Sequence, residues 1–303
     1  MIHLPFSGSG IDRLAMLRQQ PEGLAAAFAE PTARFVPIWQ SRCLLRDGSV
    51  AVCLRNEIEL VAPDYEGAVF LGRRDGQALF AVEVRGEQPP PALPAFAFRG
   101  LRDVVSEVSE ADAALLAYAR AMILWQGRHR YCGVCGAANR ATDGGFVMSC
   151  TRPGCGQKCF PRIDPAVIVL VHRQEHCLLG RQVSWPEGRF STIAGFVEPG
   201  EALEDAVVRE VHEETNILVE DCDYVASQPW PFPAAMMLGF HATARTTDIR
   251  LNDGELAEAR WLTRADIRAG TVRLPPRVSI AYRLIERWFD ADTSAPLATL
   301  KLP

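Results

Sequence analysis

The sequence predicts an α+β protein: a mixed β-sheet held between helices, preceded by a cysteine-rich knuckle and by a further α+β domain. Three observations predict it. Runs of alternating or continuous apolar character are interleaved with runs of helical spacing, which suits a mixed sheet flanked by helices. Four cysteines crowd into 24 residues between the two halves. The length of 303 residues suits about two domains.

Between residues 34 and 85, the runs Ser49–Leu54, Ala68–Leu71 and Ala78–Val84 read as strands, with turns at Asp47-Gly48 and Asp75-Gly76. The proline cluster Pro89 to Pro94 reads as a loop. Glu107 to Trp125 has helical spacing. Further on, Ala166–Val171 reads as a buried strand, Glu201–Glu214 as an amphipathic helix and Met236–Ala244 as a strand. Arg277 to Asp290 closes with a helix carrying Ile280, Leu284, Ile285 and Trp288. The domain expectation is 1–127, 128–161 and 162–292, with a tail at 293–303.

Composition narrows the function classes. Hydrophobic residues are 48% and charged residues 23%, the usage of a globular protein and not of a disordered one. The net charge of −5 gives no support to a nucleic-acid or anionic-membrane surface. The first ten residues lack a secretory layout, and Ala166–Val171, the longest apolar stretch, is too short to span a bilayer. The Leu-Lys-Leu-Pro end is not a peroxisomal address. These features predict a cytoplasmic protein with no membrane partner.

Of nine cysteines, Cys132, Cys135, Cys150 and Cys155 are grouped. Two turns, each offering a thiolate pair, suit a closed tetrahedral zinc site that folds a segment too small for its own core. Gly133 and Gly136 suit a tight knuckle. Cys159 is a competing ligand, and unligated thiols or a redox pair are the alternatives. Cys43, Cys53, Cys177 and Cys222 sit in apolar contexts as small buried side chains.

The stretch from Gly195 to Ile217 carries the chemistry. Glu210 and Glu214 lie one helical turn apart on one face, with Glu213 beside them. Carboxylates so close repel each other unless a hard cation such as Mg²⁺ or Mn²⁺ neutralises them. The alternative is a solvated acidic face. Downstream, Ser227-Gln-Pro-Trp-Pro-Phe-Pro-Ala-Ala235 reads as a stiff proline-locked loop presenting Trp230 and Phe232 to an aromatic ring, or as a packed surface loop.

Gly195, Glu201, Arg209-Glu210, Val211 and Glu213-Glu214 fit the Nudix box, in which Asn216 stands where a glycine is usual. The chain resembles the Nudix hydrolase superfamily, and the 227–235 loop resembles the signature of its NADH pyrophosphatase family, with Ala235 in place of the usual serine. The four cysteines, with Arg128–Cys135 and Phe160-Pro161 at their borders, are similar to that family's zinc ribbon. The resemblance covers residues 100 to 290.

It implies a Nudix fold and hydrolysis of the pyrophosphate bond of NADH or NAD to AMP and NMN(H), with Mg²⁺ or Mn²⁺ as catalytic metal and Zn²⁺ as structural metal. It extends to removal of NAD caps from RNA and to a homodimer. By the same resemblance Glu210, Glu213, Glu214 and Glu255 bind the catalytic metal, with Glu258 a rival for Glu255, and Glu213 is a ligand or the base. Gln228, Pro229, Trp230, Pro231, Phe232, Pro233, Ala234 and Ala235 form the dinucleotide loop, and Phe160, Ala281 and Arg102 contact substrate. Arg209 is expected to tie helix to loop, and His212 to be a surface residue. The rival readings are a hydrolase of ADP-ribose or dinucleoside polyphosphates, and a non-catalytic dinucleotide-binding protein.

Overall fold

The computed structural model describes residues 4–47, 49–62, 67–88, 96–252, 254–293 and 295–300. Gly48 of the first expected turn and the cluster Pro89–Pro94 lie outside the described residues. The chain divides into two units. One comprises Pro5–Ile163 with Pro231–Ala234, and the other comprises Leu4, Asp164–Trp230 and the residues from Ala235 onward.

The first unit opens with α1 (Pro21–Ala29), followed by β1 (Arg34–Trp39), β2 (Arg42–Arg46) and β3 (Ser49–Val50). Then come α2 (Arg55–Val61), the hairpin β4 (Val69–Arg74) and β5 (Gln77–Val84), β6 (Phe96–Gly100), α3 (Leu101–Val104) and α4 (Glu110–Arg128). Asp75 and Gly76 both have positive φ, 51° and 78°, the hand that a two-residue hairpin turn requires. The expected strand Ser49–Leu54 stops at Val50. Ala51 donates to Leu44 O while Cys53 pairs with Phe35, so this short segment changes partner and no continuous ladder forms. The helix expected from Glu107 begins at Glu110, because the Ser109 side chain accepts the Asp112 N–H and caps it there.

Beyond α4, β7 (Asn139–Thr142), β8 (Val147–Cys150) and β9 (Lys158–Cys159) form a small antiparallel sheet. It contributes little apolar burial of its own beyond Val147 and Met148.

The second unit contains β10 (Asp164–Arg173), β11 (His176–Gln182), β12 (Ile193–Phe196), α5 (Leu203–Thr215), β13 (Val219–Trp230), β14 (Ala235–Ala244), β15 (Leu256–Thr263), α6 (Arg264–Arg268) and α7 (Ile280–Asp290). The strand order is β13-β14-β10-β11-β15, with β12 on β10. β10 runs parallel to β14 and antiparallel to β11 and β12. Alternation along β10 divides the core. Val167, Val169 and Val171 join Val207 and Val211 of α5, whereas Ile168 and Leu170 join Leu284, Ile285 and Trp288 of α7. The sheet therefore lies between helices, and its continuous apolar central strand follows from having both faces covered. Leu4 and Leu297 pack into the α7 side.

The two units repeat one topology. β1 is parallel to β5 as β10 is to β14, and β2 bears β6 as β11 bears β15. In each, a short helix and then a longer one follow the last strand. They differ at the small third strand, which pairs with β2 in the first unit and with β10 in the second, and at the helix after it, which spans 7 residues in α2 and 13 in α5. No helix among the described residues is long and apolar enough to cross a membrane.

Candidate functional site

The backbone of α5 presents its apolar residues Ala206, Val207 and Val211 to the sheet and its acids to the other side. Asn216 ends the helix with φ 64°, and its N–H reaches His212 O. The glycine position of the box is thus a left-handed helix terminus, a conformation that asparagine tolerates. His212 is exposed, as expected.

Arg209 organises the acids. It donates to Glu210 Oε1 at 2.9 Å, Glu213 Oε2 at 3.0 Å and Glu201 Oε2 at 2.9 Å, and Nη2 reaches Phe196 O at 2.9 Å. The helix is therefore tied to the loop before it. Glu201 lies just ahead of the helix and also accepts the Glu198 N–H at 2.8 Å. Its carboxyl is held down at about 2 by Arg209 and by that amide.

Glu210 is pushed the other way. Burial raises its pKa, Arg209 opposes the rise, and the charges of Glu213 and Glu255 add to it. Glu255, far along the chain, thus lies close enough to couple with the helix acids. Glu258, its rival, is ion-paired with Arg260 and lies 3.6 Å from Arg181. Glu214 is buried, at 4% exposure. A Cβ on Gly195 would come within 1.9 Å of the Glu210 carboxyl carbon, so only glycine at this point of β12 leaves the carboxylate its place. Carboxylates of this kind are the hard oxygen donors a divalent cation takes, although among the described residues only the cysteine sulfurs lie gathered at ligand spacing.

The four cysteine sulfurs lie within 4.8 Å of one another, with Cys132–Cys155 at 3.9 Å and Cys135–Cys150 at 3.4 Å. Tetrahedral Zn–S bonds of about 2.3 Å place sulfurs about 3.8 Å apart, so the cluster fits zinc. Cys159 is outside it. The Ala137 backbone and neighbouring thiols lower Cys135 to about 6. Of the two knuckle glycines, only Gly136 needs its freedom, with φ 74°.

The expected loop is mostly strand. Gln228–Trp230 end β13, Ala235 begins β14, and only Pro231–Ala234 turn. Pro229 is tolerated within a strand because β13 is the sheet edge. Gln228 is fully buried: Nε2 donates to Val278 O and Oε1 accepts Ile280 N–H, both at 2.8 Å, so its amide is spent on the start of α7. In the first unit, Phe232 meets Phe6 edge-on, and Arg102 lies 4.3 Å over its ring. Arg102 is thus engaged with the turn itself. Phe160 is 62% exposed, and Ala281 is packed inside the α7 core. Sequence reasoning missed Arg120, which binds the turn from α4. In the sequence it is one cation among the residues of an amphipathic helix, and no motif marks it.

Residues 162–288 match the family described as NUDIX domain, and residues 32–125 match the NADH pyrophosphatase-like rudimentary NUDIX domain. The NAD-capped RNA hydrolase NudC of Mycobacterium bovis is 38% identical over 299 residues, covering 92% of both chains. Its namesake in Stutzerimonas stutzeri is 40% identical over 226 residues, covering 75% of this chain and 79% of that one. Human NAD-capped RNA hydrolase NUDT12 is 38% identical over 197 residues, 60% of this chain and 43% of its own. The repeated topology, the box acids and these relatives together make the chain a member of the Nudix hydrolases, in their NADH pyrophosphatase family.

Proposed function

We propose that this hydrolase cleaves the pyrophosphate bond of NAD(H) to AMP and NMN(H), and removes NAD caps from RNA. The observation that carries the reading is the Glu210 carboxylate seated against the Cβ-free Gly195, with the charges of Glu213 and Glu255 acting on it. The relatives named NAD-capped RNA hydrolases support the substrate.

Nudix hydrolases use divalent metal, and here Mg²⁺ or Mn²⁺ would be held by Glu210, Glu214 and Glu255. Bound there, it supplies charge neutralisation at the phosphates and an acidified water. Glu213 accepts the proton of the attacking water through the carboxylate oxygen that Arg209 leaves free. Arg209 keeps the acids paired and oriented before substrate arrives. Trp230 and the turn after it receive the dinucleotide. Zn²⁺ at the four cysteines is structural. The protein acts in the cytoplasm as a homodimer, for which light scattering should give twice the mass of one chain.

The test is chromatography or phosphorus NMR of NADH incubated with Mg²⁺ and the purified protein. AMP and reduced NMN should appear, and EDTA should suppress them. NADH left intact while ADP-ribose or dinucleoside polyphosphates are cut would reject the substrate and keep the hydrolase.

A further inference from the structure

Arg120 sits in the interior of α4, and its hydrogen bonds among the described residues go to main-chain carbonyls. Nε donates to Ser41 O at 3.0 Å, and Nη1 donates to Pro231 O and, at 3.4 Å, to Pro233 O. The partners are 79 and 111 to 113 residues away in sequence, so this is no local helix contact. Burial opposes a charge here, as do the nearby cations Arg102 and Arg128, while Cys43 favours it. A half-buried guanidinium in such surroundings is costly unless its hydrogen bonds offset the cost.

Those bonds go where the turn needs them. Pro231 and Pro233 have no N–H, so the turn joining β13 to β14 has only the amides of Phe232 and Ala234 as backbone donors. Arg120 supplies further donors from outside. Arg102 over Phe232, with the Phe6 edge, then fixes the side chain between the two prolines.

We propose that Arg120 is the positioning residue of the substrate turn: its grip on the Pro231 and Pro233 carbonyls sets the conformation in which the turn meets the dinucleotide. This rests on the reading of that loop as the dinucleotide site. Arg120 itself does not touch substrate, so its effect is on binding and not on the chemical step.

The experiment compares kcat, KM and Tm for NADH hydrolysis in the full protein with Arg120→Met, Arg120→Lys and Trp230→Ala. Arg120→Met should raise KM about tenfold with kcat nearly unchanged, the size expected for lost hydrogen bonds to a charged group. Lysine keeps the charge but not the planar fork, so Arg120→Lys should recover only part of the affinity. A lowered Tm with KM unchanged would make Arg120 a purely structural tie and overturn the proposal. If Arg120→Met does not fold, Arg120→Lys decides, and an unaltered KM again overturns it. Trp230→Ala separates the two readings. Raised KM in Trp230→Ala without any in the Arg120 variants sinks the positioning role alone, whereas no effect of Trp230→Ala on KM removes the loop as the dinucleotide site.

Discussion

The Gln228 carboxamide donates to Val278 O and accepts from Ile280 N–H in a fully buried position. Gln228→Ala would leave both backbone groups without that partner, and should cost about 2–3 kcal/mol in urea unfolding. A substrate contact alone would leave stability intact. Gly195 makes the opposite case. An added methyl meets the flexible end of Glu210, so Gly195→Ala should keep the melting temperature while lowering kcat at saturating Mg²⁺. Glu214→Gln should lower turnover by about a hundredfold or more, because it removes a charged oxygen from the metal set; wild-type kcat in that variant would remove Glu214 from the site. The acids stand out in the sequence because their spacing is that of one helical face. Gln228 was legible only as part of a loop, since no spacing shows which way a buried amide points.

At the scale of the element, Asn216 carries the end of α5 at φ 64° and donates to Asp248 O. Asn216→Ala should cost about 1–2 kcal/mol, with Asn216→Gly well below that, read by thermal unfolding. The packing of β10 and β14 against α7 carries a pH dependence. His241 bonds Leu284 O, and burial, with His172 and Arg287, brings its pKa down to about 4, below the ordinary value of 6.5. His172 is also lowered, mainly by burial. The folded state thus binds a proton less readily than the unfolded chain. Stability is full above the ordinary value and falls as pH drops from there toward about 4. Melting temperatures across that window should decline in the wild type and more gently in His241→Gln. Most elements were legible from periodicity. The exceptions turned on single polar groups: the Ser109 cap moved the start of α4, and the change of partner after Val50 ended a strand that its alternation favoured.

Across the whole molecule, the two units share strand pairings, and the box acids lie on α5 of the second. Metal analysis should therefore find one zinc per chain, retained through brief EDTA treatment. A separate Mn²⁺ site, seen by paramagnetic resonance, should be lost to EDTA and weakened in Glu214→Gln. Release of zinc together with Mn²⁺ under the same treatment would contradict a closed four-sulfur site. The repeat was not legible in the sequence. Topology is preserved by burial patterns that many residues satisfy, and the first unit has no box to reveal it. The cysteine ribbon was legible, because metal ligands, unlike core residues, tolerate few substitutes.

A repeated fold with a single set of acids divides the demands of selection. Neighbouring carboxylates are a standing burden on a helix, and only the copy that performs the reaction has to bear it. The other is free to vary wherever its core permits, which leaves its shortened helix α2 and its long helix α4 open to new uses. A copy without the acids is raw material: a stable frame on which new contacts arise by mutation without risk to the chemistry.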